Sequence, residues 1–174
     1  MKIRKLAAVS LMALCLAAGT AFLSTALAAD EGNPAAVEQR LHQEGGAVMP
    51  VGTFNSGYAR YFTGRSYLSS LSEAKDIPVY NVTFENGAHT FWHVHHGTCQ
   101  VLVAESGRGY YQIWGEAPHV LLPGQTVTIP EGVKHWHGAA PGHDFQHLSL
   151  MKYGEGTSNE WLEPVNEKDF NALK

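Results

Sequence analysis

The chain has 174 residues, of which 44% are hydrophobic and 16% are charged, so it is long enough for one packed domain and short for two. Its ordinary hydrophobic content and low charge exclude an intrinsically disordered protein. The formal net charge of −4 provides no basic surface, so no nucleic-acid partner is expected. Nine of its ten histidines lie between His89 and His147, and this crowding is the main indication of function.

Residues 1–28 have the pattern of a secretory signal peptide. Three positive charges lie within the first five residues, an apolar run continues to about Leu23, and Ala26-Leu27-Ala28 places small residues at the cleavage site. The alternative is an uncleaved membrane anchor, for which the apolar run is only marginally long enough. Cleavage predicts a secreted or periplasmic protein without membrane contact. Its remaining cysteine, Cys99, is then expected to be a buried structural thiol and leaves no intrachain disulfide.

The chain after the signal predicts an all-β fold. An N-terminal extension, 29–60, is mixed and includes a short helical stretch near Glu38–Leu41, and a barrel, 61–165, precedes a C-terminal tail, 166–174, with a frayed helical end. Within the barrel, short apolar runs alternate with Gly- and Pro-containing turns at the spacing of a sandwich or barrel. The predicted strands are Tyr61–Leu71, Val79–Phe84, Thr90–His95, Gln100–Ala104, Gly109–Trp114, His119–Leu122, Thr126–Ile129, Lys134–Gly138 and Phe145–Met151, with one more near Trp161.

Four residues on this β framework have the spacing of a metal site. His93 and His95 are two apart and therefore point to the same face of a strand. Gln100 follows a short link that can return its amide oxygen to the same place, and His135 follows the turn at 130–132. Three nitrogens and one neutral oxygen suit Mn, Fe, Co, Ni or Zn. The alternative is a cluster of hydrogen-bonded core histidines, which the combination of all four residues makes the weaker interpretation.

Two segments of the chain resemble the paired motifs of the cupin family. The first motif is matched by Gly87, His93-Val94-His95, Gln100 and Gly107, and the second by Gly124, Pro130-Glu131-Gly132 and His135. The resemblance implies a cupin double-stranded β-helix, or jelly-roll barrel, with one divalent metal ion inside one mouth. Cupins usually have Glu where Gln100 stands. This difference removes a negative charge and leaves a bound cation more electrophilic.

Further segments narrow the resemblance to small bacterial cupins with a three-His, one-Gln site. They are Trp92–His95, Gln100, Gly109–Gln112, Val133–Pro141 and His147–Ser149. This group includes manganese-dependent cupin hydroxynitrile lyases and carboxymuconolactone-decarboxylase-like cupins. The resemblance implies Mn as the favoured metal, with Fe, Zn, Ni or Co as alternatives, and it implies that His137 and His147 line the substrate pocket as catalytic residues.

Strand periodicity independently supports a role for His137. It lies two residues after His135 and should face the same cavity. An imidazole, with an unperturbed pKa of about 6.5, can accept or give a proton near neutral pH. The same periodicity predicts that Phe91 lines the pocket beside His93, that His89 lies at its rim, and that Trp92 and Trp136 face away, into a subunit interface.

Three functions are consistent with this sequence. The first is a metal-dependent lyase for a small molecule, with His137 as general base and His147 as its partner. The second is an oxygen-dependent oxidoreductase, and the third is a non-catalytic binding module for a small carbohydrate or metabolite. An additional in-pocket histidine favours the first over the third, whereas the sequence does not separate the first from the second. A homodimer is expected, because uncovered strand edges are a liability that pairing removes.

Overall fold

The computed structural model describes residues 32–174, so the predicted signal peptide lies outside the described residues. The described part contains helix α1 (Pro34–Glu44), a 3-10 turn (Ala59–Tyr61) and helix α2 (Glu167–Asn171). Its strands are β1 (Thr53–Phe54), β2 (Phe62–Thr63), β3 (Ser66–Ser70), β4 (Val79–Phe84), β5 (His89–Thr90), β6 (His93–His96), β7 (Gln100–Gly107), β8 (Gly109–Ile113), β9 (His119–Leu121), β10 (Thr126–Ile129), β11 (His135–Ala139), β12 (Phe145–Leu150) and β13 (Ser158–Trp161). The predicted all-β architecture is confirmed.

The strands form two sheets that pack face to face. The first has the order β1-β3-β4-β12-β7-β10, and the second has the order β13-β6-β11-β5-β2, with β8 and then β9 added beside β11. Every pairing between the strands is antiparallel, as in a jelly roll. Apolar side chains between the sheets form the main core, among them Phe84, Leu102 and Phe145, which are fully buried.

Two predicted strands are each divided into two. The segment 61–71 crosses between sheets, because β2 pairs with β5 in the second sheet whereas β3 pairs with β4 in the first. The segment 90–95 breaks at Phe91 and Trp92, whose backbone N–H groups donate to Tyr61 and Glu163 instead of continuing the ladder. Beyond this break, the alternation of side chains between the two faces of the sheet is shifted by one residue.

This shift overturns two predictions made from strand periodicity. Thr90 and His93, three residues apart, both line the cavity, and Phe91 does not line it. His89 is therefore not at the cavity rim. It is 2% exposed and stacks on Phe170 of α2 with ring centroids 3.9 Å apart, on the outer side of the second sheet.

Each sheet has its outer face covered by a helix. Helix α1 begins at the Asn33 cap, whose side chain accepts from the Ala36 N–H, and it packs Val37 and Leu41 against the first sheet. Helix α2 packs Phe170 against the second sheet. Neither helix in the described part is long and apolar enough to cross a membrane.

The C-terminal segment covers two tryptophans that were expected to lie in a subunit interface. Trp92 and Trp136 face away from the cavity, as predicted, and both are buried with Val165 and Phe170. Residues of the same chain cover them, so Trp136, which is 1% exposed, is not available for a subunit interface. The predicted frayed tail is instead a short packed helix, because Phe170 supplies it with an apolar anchor.

Candidate metal centre

Three histidines converge at one end of the space between the sheets. His93 on β6 and His135 on β11 are direct cross-strand partners, and their ring centroids are 4.1 Å apart. His95, two residues along β6, points to the same face. One ligand atom from each of the three rings lies within 4.8 Å of the others, and all three side chains are buried. This is the geometry of a shared cation site.

Gln100 reaches the same point from the opposite sheet. It is the first residue of β7, and the turn before it contains Gly97 at φ +72°, where an added Cβ would lie 2.2 Å from the carbonyl oxygen of Gly156. Its Oε1 lies 3.1 Å from His95 Nε2 and 3.0 Å from His135 Nε2. Its Nε2 donates to Ser149 Oγ at 3.1 Å. The structure therefore brings together all four residues that the sequence predicts as ligands.

The outer hydrogen bonds of the three rings determine which nitrogen carries the lone pair. His93 Nδ1 donates to the Phe91 carbonyl at 2.9 Å, and His135 Nδ1 donates to the Val133 carbonyl at 2.9 Å. His95 Nδ1 donates to Asn159 Oδ1 at 2.8 Å. Because a neutral imidazole has one donor and one acceptor nitrogen, each Nε2 is left with a lone pair directed inward.

Burial keeps these rings neutral. It lowers the pKa of His135 to about 4, lowers that of His93 well below its usual value, and lowers that of His95 as well. Neutral imidazole is the form that binds a metal. The rings are therefore in the ligating state at neutral pH without losing a proton first.

The donor set fits a divalent cation. The three Nε2 lone pairs and Gln100 Oε1 are all acceptors, so none of these four atoms can donate a hydrogen bond to another. Rotation of the Gln100 amide would convert its two short contacts into ordinary N–H···N hydrogen bonds with His95 and His135. The hydrogen bond from Gln100 Nε2 to Ser149 Oγ holds the amide with its oxygen toward the rings, which is the orientation that a cation ligand needs. Nitrogen with neutral oxygen suits the borderline ions from Mn to Zn.

A cavity of about 160 Å³ lies beside this donor set, and three of the four donors, His93, His95 and Gln100, line it. This is smaller than the ~300–1,000 Å³ typical of drug-sized ligands, so the cavity has room only for a small molecule. Its wall is mostly apolar and aromatic, and among its described lining residues there is no Asp, Glu, Lys or Arg. The apolar and aromatic members are Tyr58, Phe62, Leu68, Tyr80, Val82, Met151, Tyr153 and Trp161.

His137 faces this cavity next to the donor set. Its ring centroid is 5.4 Å from that of His93, and its Nδ1 is 3.2 Å from His147 Nε2. The contact with His147 leaves Nε2 of His137 as the nitrogen available to a molecule in the cavity. Burial lowers the pKa of His137 well below its usual value, with a further lowering from the neighbouring His147. The ring is neutral at pH 7.

His147 does not line the pocket, although the family resemblance implies that it does. It is fully buried on β12 behind His137, between Phe84 and Phe145, and it is not among the residues that line the cavity. Burial lowers its pKa to about 4. Any effect of His147 on a bound molecule therefore passes through His137.

Several features of the site escape sequence reasoning. Asn159 and Trp161 lie on β13, directly opposite His95 and His93, and both line the cavity. No motif marks them, and only the pairing of β13 with β6 identifies their role. Cys99, expected to be buried, is exposed, because the alternation that buries its neighbour Gln100 places the thiol outside.

Comparison with known proteins gives one relative with a curated activity. The chain is 37% identical over 128 residues to an (R)-mandelonitrile lyase of Granulicella tundricola, a match that covers 71% of this chain and 97% of that protein. No model of a known protein family matches the chain.

Solved structures with a similar fold are known as well. A cupin-like protein of Thermotoga maritima is 33% identical, with a TM-score of 0.66, and the match covers 73% of this chain and 96% of that one. A DMSP lyase has a TM-score of 0.53 at 16% identity, covering 73% of this chain and 77% of its own. At that identity the second match shows a common fold alone.

Proposed function

This chain belongs to the cupin family, and we propose that it is a metal-dependent lyase acting on a small oxygenated organic molecule. The observation that carries the proposal is the convergence of four lone-pair donors beside a small apolar cavity that His137 also faces. The relationship to an (R)-mandelonitrile lyase supports a cyanohydrin as the substrate class. The aromatic wall, with Trp161 and Tyr153, is consistent with an aryl substituent.

His93, His95, Gln100 and His135 would hold the cation, with Mn²⁺ the favoured ion and Fe, Zn, Ni or Co as alternatives. A divalent cation there supplies Lewis acidity that polarises an oxygen of the substrate. Because Gln100 is neutral where cupins usually carry Glu, this chain's donors compensate none of the cation's charge. The choice of Mn²⁺ is supported by the resemblance to manganese-dependent cupins.

His137 would move the proton. In the cleavage of a cyanohydrin, His137 Nε2 accepts the hydroxyl proton, the O–H electron pair forms the carbonyl double bond, and the C–CN electron pair leaves with cyanide. The protonated ring then returns its proton to cyanide, so hydrogen cyanide and an aldehyde are released. Positioned acid–base catalysis of this kind contributes roughly 10²–10⁴-fold. His147 Nε2, 3.2 Å from Nδ1, holds the ring in place during the transfer.

Turnover of racemic mandelonitrile with and without oxygen tests this function. The proposal predicts equal amounts of benzaldehyde and cyanide in air and under strict anaerobiosis, with both lost after chelation of the metal and restored by Mn²⁺. Turnover that requires oxygen would indicate the oxidoreductase instead. Saturable binding of small hydroxy and oxo compounds without any turnover would indicate the binding module.

We further propose that the protein is exported and dimeric. The signal-like pattern of residues 1–28 supports secretion or a periplasmic location. The strands at the ends of the two sheets pair on one side only among the described strands, which supports pairing of two copies. N-terminal sequencing of the soluble protein should start near Ala29 rather than Met1. Light scattering coupled to size exclusion should give the mass of a homodimer at micromolar concentration, and a monomer there would contradict the pairing.

A further inference from the structure

We propose that Asn159 is a positioning residue that orients His95 as a metal ligand without adding charge to the centre, an inference that rests on the proposed metal-dependent function. The outer nitrogens of the other two rings donate to the backbone carbonyls of Phe91 and Val133. Those carbonyls belong to the backbone, so they are present whatever side chains positions 91 and 133 carry. His95 Nδ1 instead donates to Asn159 Oδ1 at 2.8 Å, so its orientation depends on one side chain.

The strand pairing explains how a distant residue reaches this position. Asn159 lies 64 residues after His95, on β13, and the two residues are direct cross-strand partners. β13 is at the end of the second sheet and pairs only with β6 among the described strands. The contact therefore ties the C-terminal segment to the metal ligands. Without an acceptor at Asn159, the His95 ring could rotate, and its proton could move to the nitrogen that must bind metal.

The chemical type of Asn159 matters as well as its position. Histidine ligands often donate to a carboxylate, which increases the negative charge around a metal. Here all three acceptors are neutral, namely two carbonyl oxygens and one amide oxygen. The fourth donor, Gln100, is neutral too. Asn159 therefore supplies the orienting hydrogen bond while leaving the charge of the cation uncompensated, which strengthens the polarisation of a substrate oxygen.

Metal binding by three variants tests this inference apart from enzyme activity. Titration calorimetry with Mn²⁺ alone would compare the wild-type protein with Asn159→Ala, Asn159→Asp and the control Ser158→Ala. Ser158 is on the same strand, is exposed and does not line the cavity. We expect Asn159→Ala to weaken the Mn²⁺ affinity about 10–100-fold. Asn159→Asp should bind Mn²⁺ at least as tightly as the wild type, since a carboxylate accepts the same hydrogen bond, and Ser158→Ala should leave the affinity unchanged.

The Co²⁺ form adds a spectroscopic signature. The visible absorption of Co²⁺ reports its ligand field, so Asn159→Asp should shift the bands of the bound ion while its stoichiometry stays at one. If Asn159→Ala does not fold, the Asn159→Asp comparison still decides the matter. A loss of Mn²⁺ affinity of about 10-fold or more in Asn159→Asp would overturn the inference, because that variant keeps both the shape of the side chain and an oxygen that accepts the His95 hydrogen bond.

The outcomes separate this inference from the function on which it rests. Wild-type protein that binds neither Mn²⁺ nor Co²⁺ would refute the proposed function together with the role of Asn159. Wild-type protein that binds Mn²⁺ while Asn159→Ala binds it equally tightly would refute only the role of Asn159.

Discussion

The contact between His137 and His147 predicts a specific pattern of catalytic losses. His147 is fully buried, does not line the cavity, and reaches the chemistry only through the 3.2 Å contact with His137 Nδ1. Replacement of His147 by Phe keeps an aromatic ring between Phe84 and Phe145 but removes the hydrogen bond. The His137 ring would then keep its place in the cavity wall with Nδ1 unpaired in a dry environment.

The expected magnitude follows from that single lost contact. Once the His137 ring takes up the substrate proton in the transition state, leaving its charged Nδ1–H without a partner costs about 1–3 kcal/mol more than in the wild type. At about 1.4 kcal/mol per tenfold change, kcat/KM for His147→Phe should fall roughly 5- to 150-fold. His137→Ala removes the base itself and should lower turnover roughly 10²–10⁴-fold. Neither variant removes one of the four metal donors, so both should retain the wild-type metal content.

The double variant provides the decisive comparison. If His147 acts only through His137, the pair His137→Ala with His147→Phe should be no slower than His137→Ala alone. The assay is the initial rate of benzaldehyde release from mandelonitrile, with metal content and circular dichroism measured on the same samples. If the loss of rate in the double variant equals the product of the losses in the two single variants, the reasoning is refuted, because His147 then has a role of its own. Loss of metal in His137→Ala would show that His137 is a ligand instead.

Three further predictions concern the metal charge and the stability of the fold. Gln100→Glu should retain the metal and lower turnover, because the carboxylate weakens the Lewis acidity of the cation; metal analysis beside a rate measurement checks this. The free energy of unfolding should fall as the pH drops from about 6.5 to about 4, because the unfolded chain takes up protons that His147, with a folded pKa of about 4, does not. This one group contributes up to about 3 kcal/mol to the loss, so urea unfolding of His147→Phe should show a shallower decline. Phe170→Ala should cost about 3 kcal/mol of stability in the same assay by opening the packing against His89 and Trp136, and should leave the metal content unchanged.

The sequence predicts most of the candidate metal site because local spacing determines it. His93 and His95 share a strand face through the period of two, and the Gly and Pro turns delimit β10 and β11 closely. The predicted bounds of β4 and β10 match the structure residue for residue. Local signals of this kind depend on backbone geometry alone, so they need no knowledge of the rest of the fold.

Features that depend on distant pairing could not be predicted in the same way. The break at Phe91 and Trp92 arises because their N–H groups bond to Tyr61 and Glu163, far away along the chain. That break, invisible to periodicity, moves His89 to the outer face and brings Thr90 to the cavity. Asn159 likewise becomes relevant only because β13 aligns with β6.

Metal content is the most direct measure of the central claim. Purified wild-type protein, incubated with Mn²⁺ and desalted, should contain about one ion per chain by elemental analysis, and His95→Ala should contain none while it keeps the circular dichroism of the wild type. The largely apolar core between the sheets does not depend on His95, so the fold should survive. Wild-type protein that binds no stoichiometric ion after addition of Mn, Fe, Co, Ni and Zn in turn would contradict the assignment of His93, His95, Gln100 and His135 as a metal centre.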